Sequence, residues 1–482
     1  MRALGAFTAL AVLVLVSGCT DEADEPTAPT PAALAESVEI DALTGHLTAL
    51  QSIADAHDGN RAAGTAGYDA SVDYVAGQLT DAGFDVQTPE FSFDTYDVRD
   101  ERVSVDGRDV QSSVIQFSPA TPAGGVRARV VALPTEDGPG CQGTDYDGLD
   151  ATGAVVVVAR GECSFADKQR LAAERGAVAV VVTNVDDRPA AGATLGASDA
   201  GRVPTVLVGR SDGEAAAAAG EIVVVVDAST STTTTRNVIA QTKTGSADDV
   251  VLVGGHLDSV PAGPGINDNG TGVAAVLETA RQLGAAPDIT NAVRFAFWGA
   301  EELGLLGSDA YVTGLDRDAR LDIALYLNYD MLGSPNFGYF AYDGDNSDNE
   351  GEPAGPQGSA GIERTMGSYL LASGVTPLGT DFDGRSDYGS FIAHGIPAGG
   401  TDTGADDRKT EAEVAMWGGT AGETFDPNYH TDRDRLDNVN RDAFEMNAET
   451  VAFATATYAN SIEGPNGVPG RAEREQVRGD AA

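Results

Sequence analysis

The second half of the chain alternates short apolar runs with segments whose apolar residues recur at helical spacing. Thr271 to Leu283 is a helix candidate because Val273, Val276, Leu277 and Ala280 fall on one face. The strand candidates around it are Val250–Val253, Val293–Trp298 and Leu325–Asn328. This repeated order predicts a sheet with substantial parallel character, flanked by helices. Ligands of such sheets gather beyond the carboxyl ends of the strands.

The first part of the chain is predicted to be helical. The run Ala70–Val75 continues to Leu79 with apolar residues at helix spacing, and Gly83 ends it. Phe84–Val86 then begins a strand, and Gly59–Thr65 is expected to be a polar loop.

From about residue 96 to 227 the pattern changes to short valine-rich strands around one helix candidate, Phe165–Arg175. The strand candidates are Val126–Leu133, Gly153–Ala159, Ala177–Val182, Val203–Val208 and Ile222–Val226. This predicts a compact β-rich module that contains no histidine. The Ser/Thr run Ser229–Thr235 is interpreted as a linker out of it.

The N terminus is interpreted as an export signal. Arg2 precedes an apolar run from Ala3 to Val16, which is too short to span a membrane. The run ends in Ser17-Gly18-Cys19, which resembles the lipobox of bacterial lipoproteins, so Cys19 is the expected lipidation site. A plain signal peptide with a chance cysteine is the alternative. Lipidation would fix the protein to the outer face of the cell membrane, with shedding or secretion also open.

Cysteine count and charge narrow the picture further. With Cys19 lipidated, Cys141 and Cys163 are free to form a disulfide in an exported protein, and two free buried thiols are the alternative. The formal net charge of -44 argues against a nucleic-acid partner, because such a field repels phosphates. A solubilising acidic surface explains this charge without any function.

Candidate metal ligands follow the predicted strands. In a strand-end context, His256 is accompanied two positions on by Asp258, whose carboxylate is expected to accept the second ring N–H of the imidazole. Asp268, Glu301, Glu302 and Asp330 are the acidic candidate ligands. Their alternative roles are a helix N-cap for Asp268, an acidic strand exit for Glu301-Glu302 and a turn residue for Asp330. The other histidines, except His430, are expected to have a structural or surface role: His46, His57 and His394.

Taken together, these segments closely resemble the M28 peptidases, with the secreted Streptomyces-type leucine aminopeptidases as the nearest likeness. The matching segments are His256–Ser259, Gly263–Gly270, Phe297–Gly304, Asn328–Met331, Asp383–Asp387, Trp417–Gly422 and Tyr429-His430. The β-rich module resembles a protease-associated (PA) domain, most clearly at Arg160–Phe165.

The resemblance implies an α/β fold, with a mixed, largely parallel, zinc-exopeptidase-like sheet flanked by helices and an inserted β-rich PA domain. The expected organisation is signal peptide 1–18, lipidated cysteine and tether 19–37, peptidase segments 38–95 and 231–463, PA-like domain 96–230, and a disordered tail 464–482.

The resemblance also implies a site that holds two Zn²⁺ ions per chain. One ion would be bound by His256 and Asp330, the other by Glu302 and His430, with Asp268 bridging both. Glu301 would be the general base, and Tyr429 would donate a hydrogen bond to the developing oxyanion.

The implied activity is removal of one N-terminal residue, large and apolar, from peptides with a free N terminus outside the cell. Arg385 would contact the substrate and Met331 would line the pocket for the first side chain. Two alternatives stay open: another M28 activity, such as a carboxypeptidase or dipeptidase, and a non-catalytic receptor on the same fold.

Two departures from the relatives bear on the site. Asn428 and Arg433 stand where the Streptomyces-type enzymes have a cysteine pair around the tyrosine-histidine loop. Two alternatives follow: other contacts hold the loop of Tyr429 and His430, or this loop is more mobile than in those enzymes. Those enzymes also lack the β-rich insert, which leaves open how a substrate approaches the site.

Overall fold

A computed structural model describes residues 28–133, 140–188, 192–347 and 351–479. The predicted signal peptide and Cys19 lie outside these residues. The chain divides into two compact units, one from Met1–Pro89 with Arg236–Ala482 and the other from Glu90–Thr235. Among the described residues, no helix is both long and apolar enough to cross a membrane.

The α-helices of the described residues are numbered in chain order. They are α1 Pro31–Glu36, α2 Ile40–Ala56, α3 Ala66–Asp81, α4 Phe165–Glu174, α5 Arg210–Ala218, α6 Gly272–Leu283, α7 Leu306–Gly314, α8 Arg317–Asp322, α9 Ser359–Ala372, α10 Tyr388–Ile392, α11 Glu411–Trp417, α12 Arg441–Asn460 and α13 Arg471–Val477.

The strands are numbered in the same way. They are β1 Asp85–Gln87, β2 Glu90–Val105, β3 Arg108–Val110, β4 Ser112–Val114, β5 Val126–Ala132, β6 Val155–Ala159, β7 Ala179–Thr183, β8 Thr205–Val208, β9 Glu221–Arg236, β10 Val238–Gln241, β11 Ser246–His256, β12 Asn291–Trp298, β13 Ile323–Tyr329, β14 Phe340–Tyr342, β15 Leu378–Thr380 and β16 Ala398–Asp402.

The larger unit is built on an eight-stranded sheet in the order β1-β10-β12-β11-β13-β16-β14-β15. Its centre, β12-β11-β13-β16, is parallel. The pairs β1-β10, β10-β12 and β14-β16 are antiparallel. The predicted mixed, largely parallel sheet is therefore confirmed.

Both faces of this sheet are covered, which explains why its central strands contain continuous buried apolar runs such as Val250–Val253 and Ile323–Leu327. Successive residues of a strand point to opposite faces. Val251 and Val253 of β11 lie in a core with α2, α3, α6 and α12, whereas Leu252 lies in a second core with α7 and α10. The amphipathic face predicted for Thr271–Leu283 is the part of α6 that covers the first side.

The smaller unit has its own sheet in the order β3-β2-β9-β5-β6-β7-β8-β4, of which β5-β6-β7-β8 is parallel. Helix α4 begins at Phe165, as predicted. The predicted disulfide between Cys141 and Cys163 is present.

The interpretation of Ser229–Thr235 as a linker is wrong. These residues continue β9, which extends to Arg236 beside β2. The hydroxyls of Ser92 and Thr234 lie 2.9 Å apart across the two strands. Threonine is β-branched and fits a strand, so the polar composition of the run concealed its structure.

The predicted disordered tail at 464–482 is also wrong for its described residues, because α13 packs on the larger unit. Arg474 is fully buried and donates to the carbonyl oxygens of Pro469, at 2.8 Å, and Asp248, at 3.0 Å. Arg478 donates to the carbonyl oxygen of Ile323 at 2.8 Å. Both buried arginines thus find carbonyl acceptors on the larger unit, as buried polar groups require.

Candidate metal centre

The register of the central strands brings three predicted ligand segments together at the carboxyl ends of these strands. His256, the last residue of β11, lies opposite Trp298, the last residue of β12, and Glu301 follows shortly after. On the other side of β11, Gly254 pairs with Asn328 of β13, so Asp330 emerges beside His256. Parallel strands end on the same side, which is why residues far apart in sequence meet here.

Asp268 reaches the same place from a buried turn, Ile266–Thr271, that leads into α6. The turn is tied to β13 through the side chain of Asn269, which donates to the carbonyl oxygen of Tyr329 at 2.9 Å. The same side chain accepts from the backbone N–H of Gly272 at 2.9 Å. Asp268 is therefore part of a rigid turn and not a simple N-cap residue.

Two groups of ligand atoms meet at Asp268. Its Oδ1 lies 3.1 Å from Nε2 of His256, which in turn lies 3.3 Å from Oδ1 of Asp330. Its Oδ2 lies 3.1 Å from Nε2 of His430, which lies 3.0 Å from Oε2 of Glu302. Each carboxylate oxygen of Asp268 thus belongs to a different group of one histidine and one further acid.

These spacings fit zinc. Tetrahedral Zn²⁺ has ligand bonds of about 2.0–2.2 Å, so neighbouring ligand atoms lie about 3.3–3.5 Å apart. The distances above are close to this value. In addition, Oε1 of Glu302 and Oδ1 of Asp330 are buried without a hydrogen-bond donor among the described residues. A buried carboxylate oxygen without a donor is costly unless a cation compensates it.

The charges of the site also call for cations. Burial alone would lower the pKa of His256, but the carboxylates of Asp330 and Glu301 raise it well above its usual value. For His430 the hydrogen bonds to Asp268 and Glu302 outweigh burial and raise the pKa to about 10. Burial, together with the charge of Asp268, raises the pKa of Glu302 to about 7. Carboxylates exceed imidazoles here, and the excess attracts positive charge.

Glu301 lies within 4.8 Å of His256 and Asp330 but is the most distant acid of that group. Its Oε2 lies 3.9 Å from Nε2 of His256, farther than the ligand atoms described above, and the residue is 8% exposed. Burial raises the pKa of its carboxyl group well above the usual value, and the charge of Asp330 adds to this effect. A carboxylate in such surroundings is well suited to accept and release a proton.

The predicted role of Asp258 needs a correction. Nδ1 of His256 lies 3.1 Å from the backbone carbonyl oxygen of Asp258, whereas its carboxylate is 3.7 Å away. The carboxylate instead accepts from the backbone N–H groups of Glu301, at 3.1 Å, and Glu302, at 3.4 Å. Because the backbone turns after β11, the backbone carbonyl group of Asp258 lies closer to the imidazole than its carboxylate does. Asp258 therefore orients both the histidine and the Glu301-Glu302 segment.

Two buried carboxylates hold the loop that carries Tyr429 and His430. Asp434 accepts from the backbone N–H of Asn267 at 2.7 Å and from that of Asp268 at 3.0 Å. Asp426 accepts from the side chain of Asn267 at 2.7 Å and from the backbone N–H of Asn428 at 2.7 Å. These contacts join both ends of the loop to the turn of Asp268. They fix the loop without the disulfide that the resemblance would imply.

A buried arginine supports the neighbouring segment. Arg61 is fully buried and donates through its guanidinium group to the carbonyl oxygens of Pro264, at 2.9 Å, and Gly265, at 2.6 Å, and to that of Leu257. Burial lowers its pKa to about 10, so it stays charged at neutral pH. Asp258, Asp434 and Asp268 all stabilise this charge.

The remaining predicted residues line one cavity of about 420 Å³ with the ligand groups. The ring of Tyr429 stacks on that of His430, with centroids 3.8 Å apart. Arg385 donates to the hydroxyl of Tyr429 at 3.3 Å and pairs with Asp406 at 3.0 Å. Met331 contributes an apolar wall directly after Asp330.

The structure therefore brings all the predicted ligands together, and it adds residues that sequence reasoning missed. Asp426, Asp434 and Arg61 hold the loops, and none of them occupies a strand end. In the sequence, only their position on either side of Tyr429-His430 distinguishes Asp426 and Asp434 from the other acids of a chain with 74 acidic residues.

Comparison with known proteins identifies the family of each unit. The profile of peptidase family M28 matches residues 237–455, and that of the PA domain matches residues 126–216. The two matches fall in the larger and the smaller unit, respectively.

Two relatives match over most of their length. A probable lipoprotein aminopeptidase of Mycobacterium tuberculosis, LpqL, is 51% identical over 98% of this chain and 97% of its own. An aminopeptidase of Pseudomonas aeruginosa is 41% identical over 90% of this chain and 83% of its own. Among solved structures, an aminopeptidase from Aneurinibacillus sp. strain AM-1 has a TM-score of 0.72 and 28% identity, covering 90% of this chain and 97% of that one.

Replacing Asp434 should weaken the metal group that contains His430. In Asp434→Asn, one of the two oxygens becomes an amide nitrogen, which cannot accept from the backbone N–H of Asn267 or Asp268. We expect zinc affinity at this group to fall about 10–100-fold, the usual effect of losing a partner that orients ligands. Zinc titration of the metal-free protein, followed by calorimetry, measures it.

The matched control is Asp432→Asn, which makes the same chemical change at an exposed position of the same loop. This variant should bind zinc like the wild type. Equal zinc affinity in Asp434→Asn and Asp432→Asn would show that Asp434 does not hold the loop.

Proposed function

The chain belongs to peptidase family M28 and is an aminopeptidase, and we propose that it uses two zinc ions to release large N-terminal residues from peptides outside the cell. The observation that carries the proposal is the position of Asp268. Its two oxygens each lie 3.1 Å from a different imidazole nitrogen, as a carboxylate that bridges two metals requires.

We assign the two zinc ions to the groups described above. His256 and Asp330 would hold one ion, Glu302 and His430 the other, and Asp268 both. When bound, zinc polarises the peptide carbonyl and makes water a stronger acid. No donor in either group is a thiolate, so the site is built from imidazole and carboxylate alone.

Glu301 is the proposed general base and general acid. Its carboxylate takes a proton from the attacking water as the C–O bond forms, and then gives that proton to the leaving amine as the C–N bond breaks. The raised pKa of Glu301 suits the second step, because the protonated form must be accessible at neutral pH.

Tyr429 is proposed to stabilise the oxyanion that forms during this attack. Burial raises the pKa of its hydroxyl group, so the hydroxyl keeps its proton and can donate it in a hydrogen bond. Arg385, 3.3 Å from that hydroxyl oxygen, is proposed to hold the tyrosine on the substrate side of the cavity.

The carboxylates of Glu301 and Asp330 line the same cavity and are proposed to bind the free α-amino group of the substrate. A charged amine at this position leaves room for only one residue before the scissile bond. Met331, Phe340 and Phe425 line the cavity as well, and these apolar walls support the acceptance of large apolar first residues.

Two further observations favour an aminopeptidase over a carboxypeptidase. A carboxypeptidase needs an available cation for the terminal carboxylate of its substrate. Arg385 is paired with Asp406, and Arg408 donates to the carbonyl oxygen of Gly422. These are the only arginine or lysine side chains among the described residues that line the cavity.

Hydrolysis of leucine p-nitroanilide tests the proposed function. The wild type should cleave it, lose activity after chelator treatment and regain full activity at two equivalents of zinc per chain. The same anilide with an acetylated amino group should not be cleaved. Cleavage of the acetylated substrate alone, or full recovery at one equivalent, would contradict the proposal.

The variant Glu301→Gln should retain both zinc ions and lose most turnover. An amide cannot accept the proton of water, and general base catalysis contributes about 10²–10⁴-fold. Zinc content by mass spectrometry and kcat on leucine p-nitroanilide measure the two properties separately. The neighbouring variant Glu302→Gln is the control, since it should lose zinc as well as turnover. Wild-type turnover in Glu301→Gln would refute the assignment.

We further propose that Cys19 carries a lipid that anchors the protein to the outer face of the cell membrane. Its resemblance to a lipobox residue and the lipoprotein named above support this assignment. In a bacterial host, the full-length protein should partition with membranes, and Cys19→Ala should release it into the soluble fraction. Equal partitioning of both forms would exclude Cys19 as the anchor.

A further inference from the structure

The floor of the cavity is one face of the sheet edge formed by β16, β14 and β15. Phe340 of β14 lies directly opposite Asp402 of β16, and Tyr342 lies opposite Thr380 of β15. Directly opposed side chains share a face and lie about 4.5–5.5 Å apart at Cβ. All four residues line the cavity that contains the metal ligands. A carboxylate is thus embedded among aromatic rings on the floor.

Asp402 lies close to the catalytic end of this floor. Strands β13 and β16 are parallel, and Tyr329 pairs with Thr401. Asp330 and Asp402 come directly after this pair of residues. Their backbones therefore lie one strand spacing apart, about 4.8 Å. A side chain that extends from a substrate bound at Asp330 can therefore reach Asp402.

No cation neutralises Asp402 within the described part of the chain. Its Oδ1 accepts from the backbone N–H of Gly404 at 2.8 Å, and no arginine or lysine forms an ion pair with it there. Burial raises the pKa of Asp402 to about 7, and the charges of Asp330, Asp383 and Asp407 add to this effect. The two arginines of the lining have other partners, as described above.

Apolar side chains stand between these two ends, and further acids (Asp381, Asp383, Asp407 and Glu413) also line the cavity. Phe340 and Phe425 contact each other with ring centroids 5.3 Å apart, and Met331 completes the lining. Lysine and arginine have an apolar stem of about three or four methylene groups that ends in a cation. The aromatic walls fit the stem, and Asp402 fits the charged end.

We propose that Asp402 is a specificity-determining residue that makes N-terminal lysine and arginine the preferred substrates, ahead of apolar residues of equal length. This inference rests on the aminopeptidase function proposed above. Large apolar residues still enter the cavity, but they leave the carboxylate of Asp402 without a partner.

The general acidity of the chain is the competing explanation, since a net charge of -44 attracts any cationic substrate. Salt separates the two effects. At about 1 M salt the screening length is about 3 Å, which suppresses long-range attraction but weakens a buried ion pair much less.

The test compares lysine p-nitroanilide with norleucine p-nitroanilide, which has the same stem without the ammonium group. In the zinc-loaded full-length wild type, kcat/KM should favour lysine about tenfold at both about 0.15 M and about 1 M salt, as expected for a charged hydrogen bond. Asp402→Asn should reduce this ratio to about one. Asp81→Asn, at an exposed position at the end of α3, removes the same charge and should keep the ratio.

Three results would overturn the inference. The first is equal or poorer cleavage of lysine by the wild type at high salt. The second is an unchanged ratio in Asp402→Asn. If circular dichroism shows that this variant is unfolded, Asp402→Ala is measured in its place, and an unchanged ratio there has the same meaning. The third is a wild type that cleaves neither lysine, norleucine nor leucine anilides, which would remove the proposed function itself.

Discussion

Asp268 has to present one carboxylate oxygen to each of two imidazoles, and much of the larger unit serves to hold it in that orientation. The turn that carries it is fixed to β13 by Asn269 and to the Tyr429-His430 loop by Asp434. The imidazole of His256 is placed by the end of a central strand and by the carbonyl oxygen of Asp258. Any shift of the turn would change both groups of candidate ligands together, because a single side chain belongs to both.

The same site concentrates negative charge at one edge of the sheet, and the fold tolerates this through buried cations and N–H donors. Arg61 lies behind the centre and interacts with Asp258, Asp268 and Asp434. Burial raises the pKa of Asp434 to about 8, although it accepts two backbone hydrogen bonds. Metal ions would relieve this accumulation of charge, so the centre and its supporting carboxylates stabilise each other.

Much of the fold and the site could be predicted from the sequence because the ligands follow apolar runs with clear periodicity. His256 ends a strand that is buried on both faces, Glu301 and Asp330 follow two more, and parallel pairing brings these strand ends together. Asp434 and Asp402 could not be found in this way, since their role depends on burial and on partners distant in sequence. The prediction of a disordered C-terminal tail was wrong for a related reason. Composition suggested disorder, but Arg474 and Arg478 donate to carbonyl groups near the starts of β11 and β13, which only the assembled structure brings to them.

The pair of carboxylates that brackets the Tyr429-His430 loop has a consequence for how the protein matures. The resemblance to the Streptomyces-type enzymes implies a disulfide around this loop, which would need an oxidation step, but Asn428 and Arg433 stand at those positions here. Here the larger unit contains no cysteine between residues 20 and 89 or after residue 235, and the pair Cys141–Cys163 belongs to the smaller unit. Assembly of the loop therefore needs no oxidant and releases no electrons. Hydrogen bonds of Asp426 and Asp434 close the loop instead, so His430 is held in place by groups that do not change their oxidation state.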